Sequence, residues 1–102
     1  MGIFHQLHET RSLRMHRMVA ERFRQEPGEV IQFGLMNLER WRQQGVDCDY
    51  FNVWTNLLFA PSFGLVEALT SSSEEAVRLR QSSPFAGIIP EETRRKILAS
   101  AE

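Results

Sequence analysis

Four prolines constrain what this chain can fold into: Pro27, Pro61, Pro84 and Pro90. Proline has no backbone N–H to give and disfavours helical geometry in the residue before it. It therefore stands between helices or in the first turn of one. Between these breaks, apolar residues recur at three- and four-residue spacing, and no stretch shows sustained two-residue alternation of β-branched residues. The expected fold is all-α, a small bundle of five or six helices. With 102 residues, it is expected to be a single domain, because two halves would each be too small to bury a core.

The first helix is expected from about His8 to Gln25, with Met15, Met18, Val19 and Phe23 on its apolar side and the first few residues disordered. Pro27-Gly28 ends it and can equally open the next, which runs to Gln44. Val30, Ile31, Phe33, Gly34, Leu35, Leu38 and Trp41 give that second helix a broad apolar face, as expected of the central helix of a bundle. Gly45 stops it after a basic last turn, Arg40 and Arg42. A third helix is expected from Asp49, as N-cap, to Phe59, with Phe51, Trp54, Leu57 and Leu58 on one side. Pro61-Ser62 breaks it, and a short helix, FGLVEALT, follows. Ser72 and Glu75 form an S-x-x-E capping box for the fifth helix. Pro90-Glu91-Glu92 opens the sixth, with acids in its first turn.

Charge narrows the function classes. Hydrophobic residues make up 42%, charged residues 25%, and the formal net charge is −1. That is too apolar for intrinsic disorder and offers no global attraction to nucleic acid or an anionic membrane. No run approaches the roughly 18 apolar residues of a membrane span, and the N-terminus lacks an apolar signal core. Gln6 stands where a myristoylation pattern wants Ser or Thr. Cys48 is the single cysteine, so no intramolecular disulfide can form and a reducing cytoplasm is the expected location.

Candidate chemistry is sparse. His5, His8 and His16 share helical spacing that could ligate zinc if further ligands, such as Cys48 or Asp49, arrived. There is no CxxC or HExxH pattern, so no metal or other cofactor is expected. The carboxylates flanking Cys48, Asp47 and Asp49, raise a thiol pKa, the wrong direction for a nucleophile. Ser82 and Ser83 have no G-x-S-x-G context and no evident Asp–His pair. The glycines are scattered singly, without a phosphate loop. Glu39, Glu67, Glu74 and Glu75 read as solvated helix positions. No catalytic residue is assigned, and an enzyme is not expected.

Arg11, Arg14, Arg17, Arg22 and Arg24 on the first helix could meet phosphates, so a small helical nucleic-acid-binding regulator is the alternative reading. Glu9, Glu21 and Glu26 interrupt that stripe, and Arg17 to Glu21 is the spacing of an intrahelical pair. Trp41 and Trp54 read as core, and Met15, Met18 and Met36 as core filler or an adaptable partner surface.

The stretch RLRQSSPFAGIIPEE, residues 78–92, puts Phe85, Ile88 and Ile89 where a connecting loop is usually polar. Arginine and aromatic residues are enriched at the centres of protein interfaces. A partner-binding segment is therefore expected at Arg78, Arg80, Gln81, Ser82, Ser83, Pro84 and Phe85. The competing reading makes Phe85 a plug between helices, its approach set by Pro84.

Taken together, LRMHRMVAERFRQEP, NLERW, WTNLL and EEAVRLRQSSPFAGIIPEE resemble a family of small bacterial antitoxin-like proteins of toxin–antitoxin systems. The resemblance covers about residues 13–98 and is most specific at residues 78–87. In that family such a segment stands alone or follows a helix-turn-helix domain, and it is encoded beside a toxin-like gene. The resemblance implies neutralisation of a partner toxin by direct binding. No separate DNA-binding domain is expected ahead of the segment, so autoregulation by this chain alone is not expected. DNA is the less expected partner, a membrane is not expected, and homo-oligomer formation is left open.

Overall fold

Residues 27–60 and 63–83 each form two helices, and the segments before Pro27 and after Pro90 form one each. The structure is a computed structural model that describes the backbone of residues 3–60 and 63–100, and side chains within residues 9–60 and 63–96 and at residue 99. Its elements are α1 (Ile3–Gln25), α2 (Pro27–Gln43), α3 (Tyr50–Phe59), α4 (Phe63–Thr70), α5 (Glu74–Gln81) and α6 (Glu91–Ser100). Among the described residues there is no strand. The fold is a small all-α bundle, and its radius of gyration of 13.3 Å matches the ~13 Å of a single 100-residue domain.

α1 begins at Ile3, five residues before the position the apolar spacing marks. Of the first few residues, expected to be disordered, those from Ile3 onward are helical, and Met1 and Gly2 lie outside the described residues. A single residue, Glu26, separates α1 from α2, and Pro27 takes the first position of α2. There its missing N–H costs nothing, because that group has no intrahelical acceptor anyway. Across this corner Arg22 grips Glu29 with two hydrogen bonds of 2.9 and 3.2 Å.

α2 closes on a Schellman motif. The Val46 N–H donates to the Trp41 carbonyl and the Gly45 N–H to the Arg42 carbonyl, while Gly45 sits at φ 82°. A side chain would be strained in that left-handed geometry.

Two expected caps shift. Asp49 precedes α3 in helical geometry and its side chain makes no capping hydrogen bond. The turn is closed by backbone instead, the Phe51 N–H donating to the Cys48 carbonyl. At α5 the N-cap is Ser73, whose hydroxyl accepts from the Ala76 N–H at 3.2 Å. Ser72 and Glu75 therefore form no capping box. The displacement follows from Ser71, whose hydroxyl accepts the Ser73 N–H at 3.0 Å and turns the chain one residue later.

α1, not α2, is the hub: it packs against α2, α4, α5 and α6, and α2 against α1 and α3. The core joins Val19 and Ala20 of α1, Val30 and Leu38 of α2, Trp54 and Leu58 of α3, and Leu65 and Leu69 of α4. Trp54 is fully buried and its indole N–H donates to the Leu79 carbonyl at 2.9 Å, so the polar atom of a core aromatic is satisfied. Trp41 is only half-buried and stacks on Phe51 at 5.4 Å. The methionines are not core filler throughout: Met15 is half-buried, and Met18 and Met36 are exposed. The Arg17–Glu21 pair is not made, because Glu21 binds Arg24 at 3.2 Å.

Candidate anion-binding cleft

The loop after α5 folds inward. Pro84 is fully buried and Phe85 is 3% exposed. The Ser83 hydroxyl accepts the Phe85 N–H at 3.2 Å. The Pro84 carbonyl accepts from Asn37 Nδ2 of α2 at 2.8 Å. Phe85 meets Trp54 edge-on, ring centroids 5.7 Å apart, in the arrangement aromatic pairs prefer. The space it enters exists because position 34 has no side chain. A Cβ there would lie 2.8 Å from Leu58 Cδ1 and 3.1 Å from Phe85 Cε1. After Phe85 the chain turns, the Ile88 N–H donating to the Phe85 carbonyl, with Gly87 at φ 94° as the turn demands. Of the two readings of Phe85, the plug is the one the fold adopts.

Beside this plug lies a cleft of about 570 Å³. α1 supplies Arg11, Ser12, Met15, His16 and Val19 to its wall. The end of α5 and the turn supply Arg80, Gln81, Ser83, Phe85, Ala86 and Gly87, and α6 supplies Arg94. Three of these residues are arginines and none is an acid.

Arg80 is the centre of the site. It is 5% exposed, yet guanidinium stays charged in proteins. Its Nη1 donates to the Ala68 carbonyl at 3.0 Å, near the C-terminal end of α4, where the helix dipole favours a cation. Its Nε is buried and has no hydrogen-bond partner among the described residues. Burial lowers the Arg80 pKa, Glu9 opposes that through space, and Arg17 adds to it. Arg11 has the same defect in milder form, half-buried with a buried, unpartnered Nε. Arg94 is more exposed, 3.8 Å from Glu91, beyond hydrogen-bond length.

His16 is the neutral member of the group. It is 8% exposed, and its Nδ1 donates to the Ser12 carbonyl at 2.7 Å, leaving Nε2 as the acceptor nitrogen. Burial lowers its pKa to about 4; the Ser12 hydrogen bond pulls upward and the charge on Arg80 adds to the lowering.

Of the expected partner-binding residues, Arg80, Gln81, Ser83 and Phe85 line this cleft, while Arg78, Ser82 and Pro84 do not. Arg78 and Gln81 are exposed, Ser82 and Ser83 half-buried. Sequence reasoning assigns Arg11 and His16 elsewhere, to phosphate contact and to zinc. Their common signal is spacing: Arg11, Ser12, Met15, His16 and Val19 share a helix face that mixes polar with apolar residues. The side chains of His5 and His8 lie outside the described residues, and among the described residues no three His, Cys, Asp or Glu side chains gather around a metal-sized point. Of the five arginines proposed to meet phosphate, Arg22 and Arg24 are bound to Glu29 and Glu21. No described helix is long and apolar enough to cross a membrane.

Compared with protein families, curated proteins and solved structures, the chain matches none.

Proposed function

We propose that this chain is a protein-binding module of the antitoxin type, which neutralises a partner toxin enzyme in the cytoplasm by direct contact. The contact face is the end of α5 and the turn at residues 82–87. The observation that carries the reading is the cleft beside that turn, where cationic side chains converge with no acid in the wall among the described residues. Leaving a buried charge without a counter-charge is costly for a chain standing alone. An interaction partner that supplies the missing group offsets that cost in the complex.

The test is co-expression with the product of the neighbouring gene, followed by size-exclusion chromatography and calorimetry. A stoichiometric complex is expected. Ala86→Glu, a change at an exposed position on the cleft rim, should weaken it at least tenfold by adding bulk and, towards an acidic partner, repulsion. Separate elution of the two proteins at micromolar concentration would end the reading, as would a complex indifferent to Ala86→Glu.

A further inference from the structure

We infer that the cleft between α1 and the 82–87 turn is a carboxylate-recognition site, with Arg80 as the anchor and Arg11 as the second donor. The natural ligand is an aspartate or glutamate side chain on an acidic segment of the partner. The inference rests on the partner-binding reading for its biological meaning and on the geometry of the cleft for its chemistry.

Arg80 has already committed Nη1 to the Ala68 carbonyl. What remains is the side-on edge of the guanidinium, carrying Nε and Nη2, and Nε has no partner among the described residues. That edge is the fork whose two parallel N–H bonds match the two oxygens of one carboxylate. Arg11, whose Nε is likewise orphaned among the described residues, lines the same wall. Two residues with such atoms lining a single cleft are unusual, since buried side-chain polar atoms are nearly always paired.

The rest of the wall favours a carboxylate on an aliphatic stem. Met15, Val19 and Phe85 give an apolar lining against which methylene groups can pack. His16, kept neutral by burial, adds no second full charge beside Arg80. The two parallel N–H bonds of one guanidinium edge match the two oxygens of a carboxylate, and phosphate is the competing anion that the experiment tests.

Glu9 is the internal competitor. It acts on Arg80 through space, and no ion pair joins the two among the described residues. Removing its charge should leave the site more attractive to an incoming anion.

The experiment follows the arginine Nε–Hε signals by NMR while sodium acetate is added at constant ionic strength. Inorganic phosphate and chloride serve as parallel arms. The peptide arm compares acetyl-Ala-Glu-Ala-amide with its Gln counterpart. Arg80 and Arg11 signals should shift saturably with acetate and the Glu peptide, in the millimolar range, while those of Arg24 and Arg42 drift linearly. Arg80→Lys keeps the charge and loses the fork, and should weaken acetate at least tenfold as read from Arg11. Arg11→Gln, at a half-exposed position, guards against misfolding of the Arg80 variant and should weaken acetate severalfold. Glu9→Gln should tighten it.

Arg80 and Arg11 signals that only track Arg24 would overturn the inference, as would equal binding of the Glu and Gln peptides. Tighter saturation by phosphate than by acetate would also overturn it. A partner complex untouched by Arg80→Lys retires the carboxylate anchor and leaves the partner-binding reading standing. Acetate binding without any partner complex does the reverse.

Discussion

Arg80 and His16 line one cleft at nearly equal depth, and near neutral pH only one of them is charged. His16 makes stability depend on pH. Its pKa is lowered from 6.5 to about 4 in the folded protein by burial, so between those values the unfolded chain binds the proton that the folded chain refuses. The contribution is fully present above pH 6.5 and is lost as pH falls towards 4. Its full size is about 3 kcal/mol, at about 1.4 kcal/mol for each pH unit between the two values. Urea unfolding at pH 7 and at pH 4.5 should show the loss, and His16→Gln should flatten most of the slope between them. An unchanged slope in that variant would assign the pH dependence to other groups.

The chemistry of these two residues was hard to read in the sequence. Arg80 stands in a charged segment, EEAVRLRQ, where helical period alone does not reveal an arginine turned inward. It is buried because the α4 terminus offers it the Ala68 carbonyl, 12 positions away. His16 invited a metal reading because histidine spacing is visible and the Ser12 carbonyl that holds it is not.

Element boundaries were legible to within a few residues wherever proline or glycine marks them. Pro27 and Gly45 fall where helix-terminus chemistry places them. α1 and α5 departed for local reasons. The extra turns at the start of α1 have no stop signal before them and only a weak apolar period. At α5 three consecutive serines compete for the cap, and hydrogen bonding selects Ser73. Ser73→Ala should cost about 1 kcal/mol, the usual loss for an N-cap hydroxyl. Ser72→Ala should stay within about 0.5 kcal/mol, as exposed substitutions generally do. Thermal melts of the two variants decide which serine caps the helix, and equal losses would contradict the assignment.

The all-α bundle as a whole follows from period and punctuation together, but its centre does not. The broad apolar face of α2 suggested a central helix. In the fold, part of that face is covered by the turn at residues 82–87, with Asn37 bound to Pro84 and Gly34 facing Phe85. Contacts between a helix and a turn so distant in the chain leave no periodic trace. Phe85→Ala is accordingly a change to the core of the molecule. It should lower stability by about 3–5 kcal/mol, the range for truncating a buried large aromatic, a large part of what a domain of this size holds in total. A melting temperature that hardly moved would show that the ring leaves its pocket in solution.

The Asn37–Pro84 hydrogen bond spans 47 residues, and that separation sets when the cleft can exist during synthesis. A ribosome releases the chain from its N-terminus at about 5–20 residues per second, and helices form within microseconds of emerging. α1 and α2 therefore wait seconds for the turn that covers Gly34 and joins Arg80 in the cleft wall. Throughout that interval the nascent chain has no carboxylate site. Anything that recognises this cleft consequently recognises only chains whose synthesis has passed the 82–87 turn.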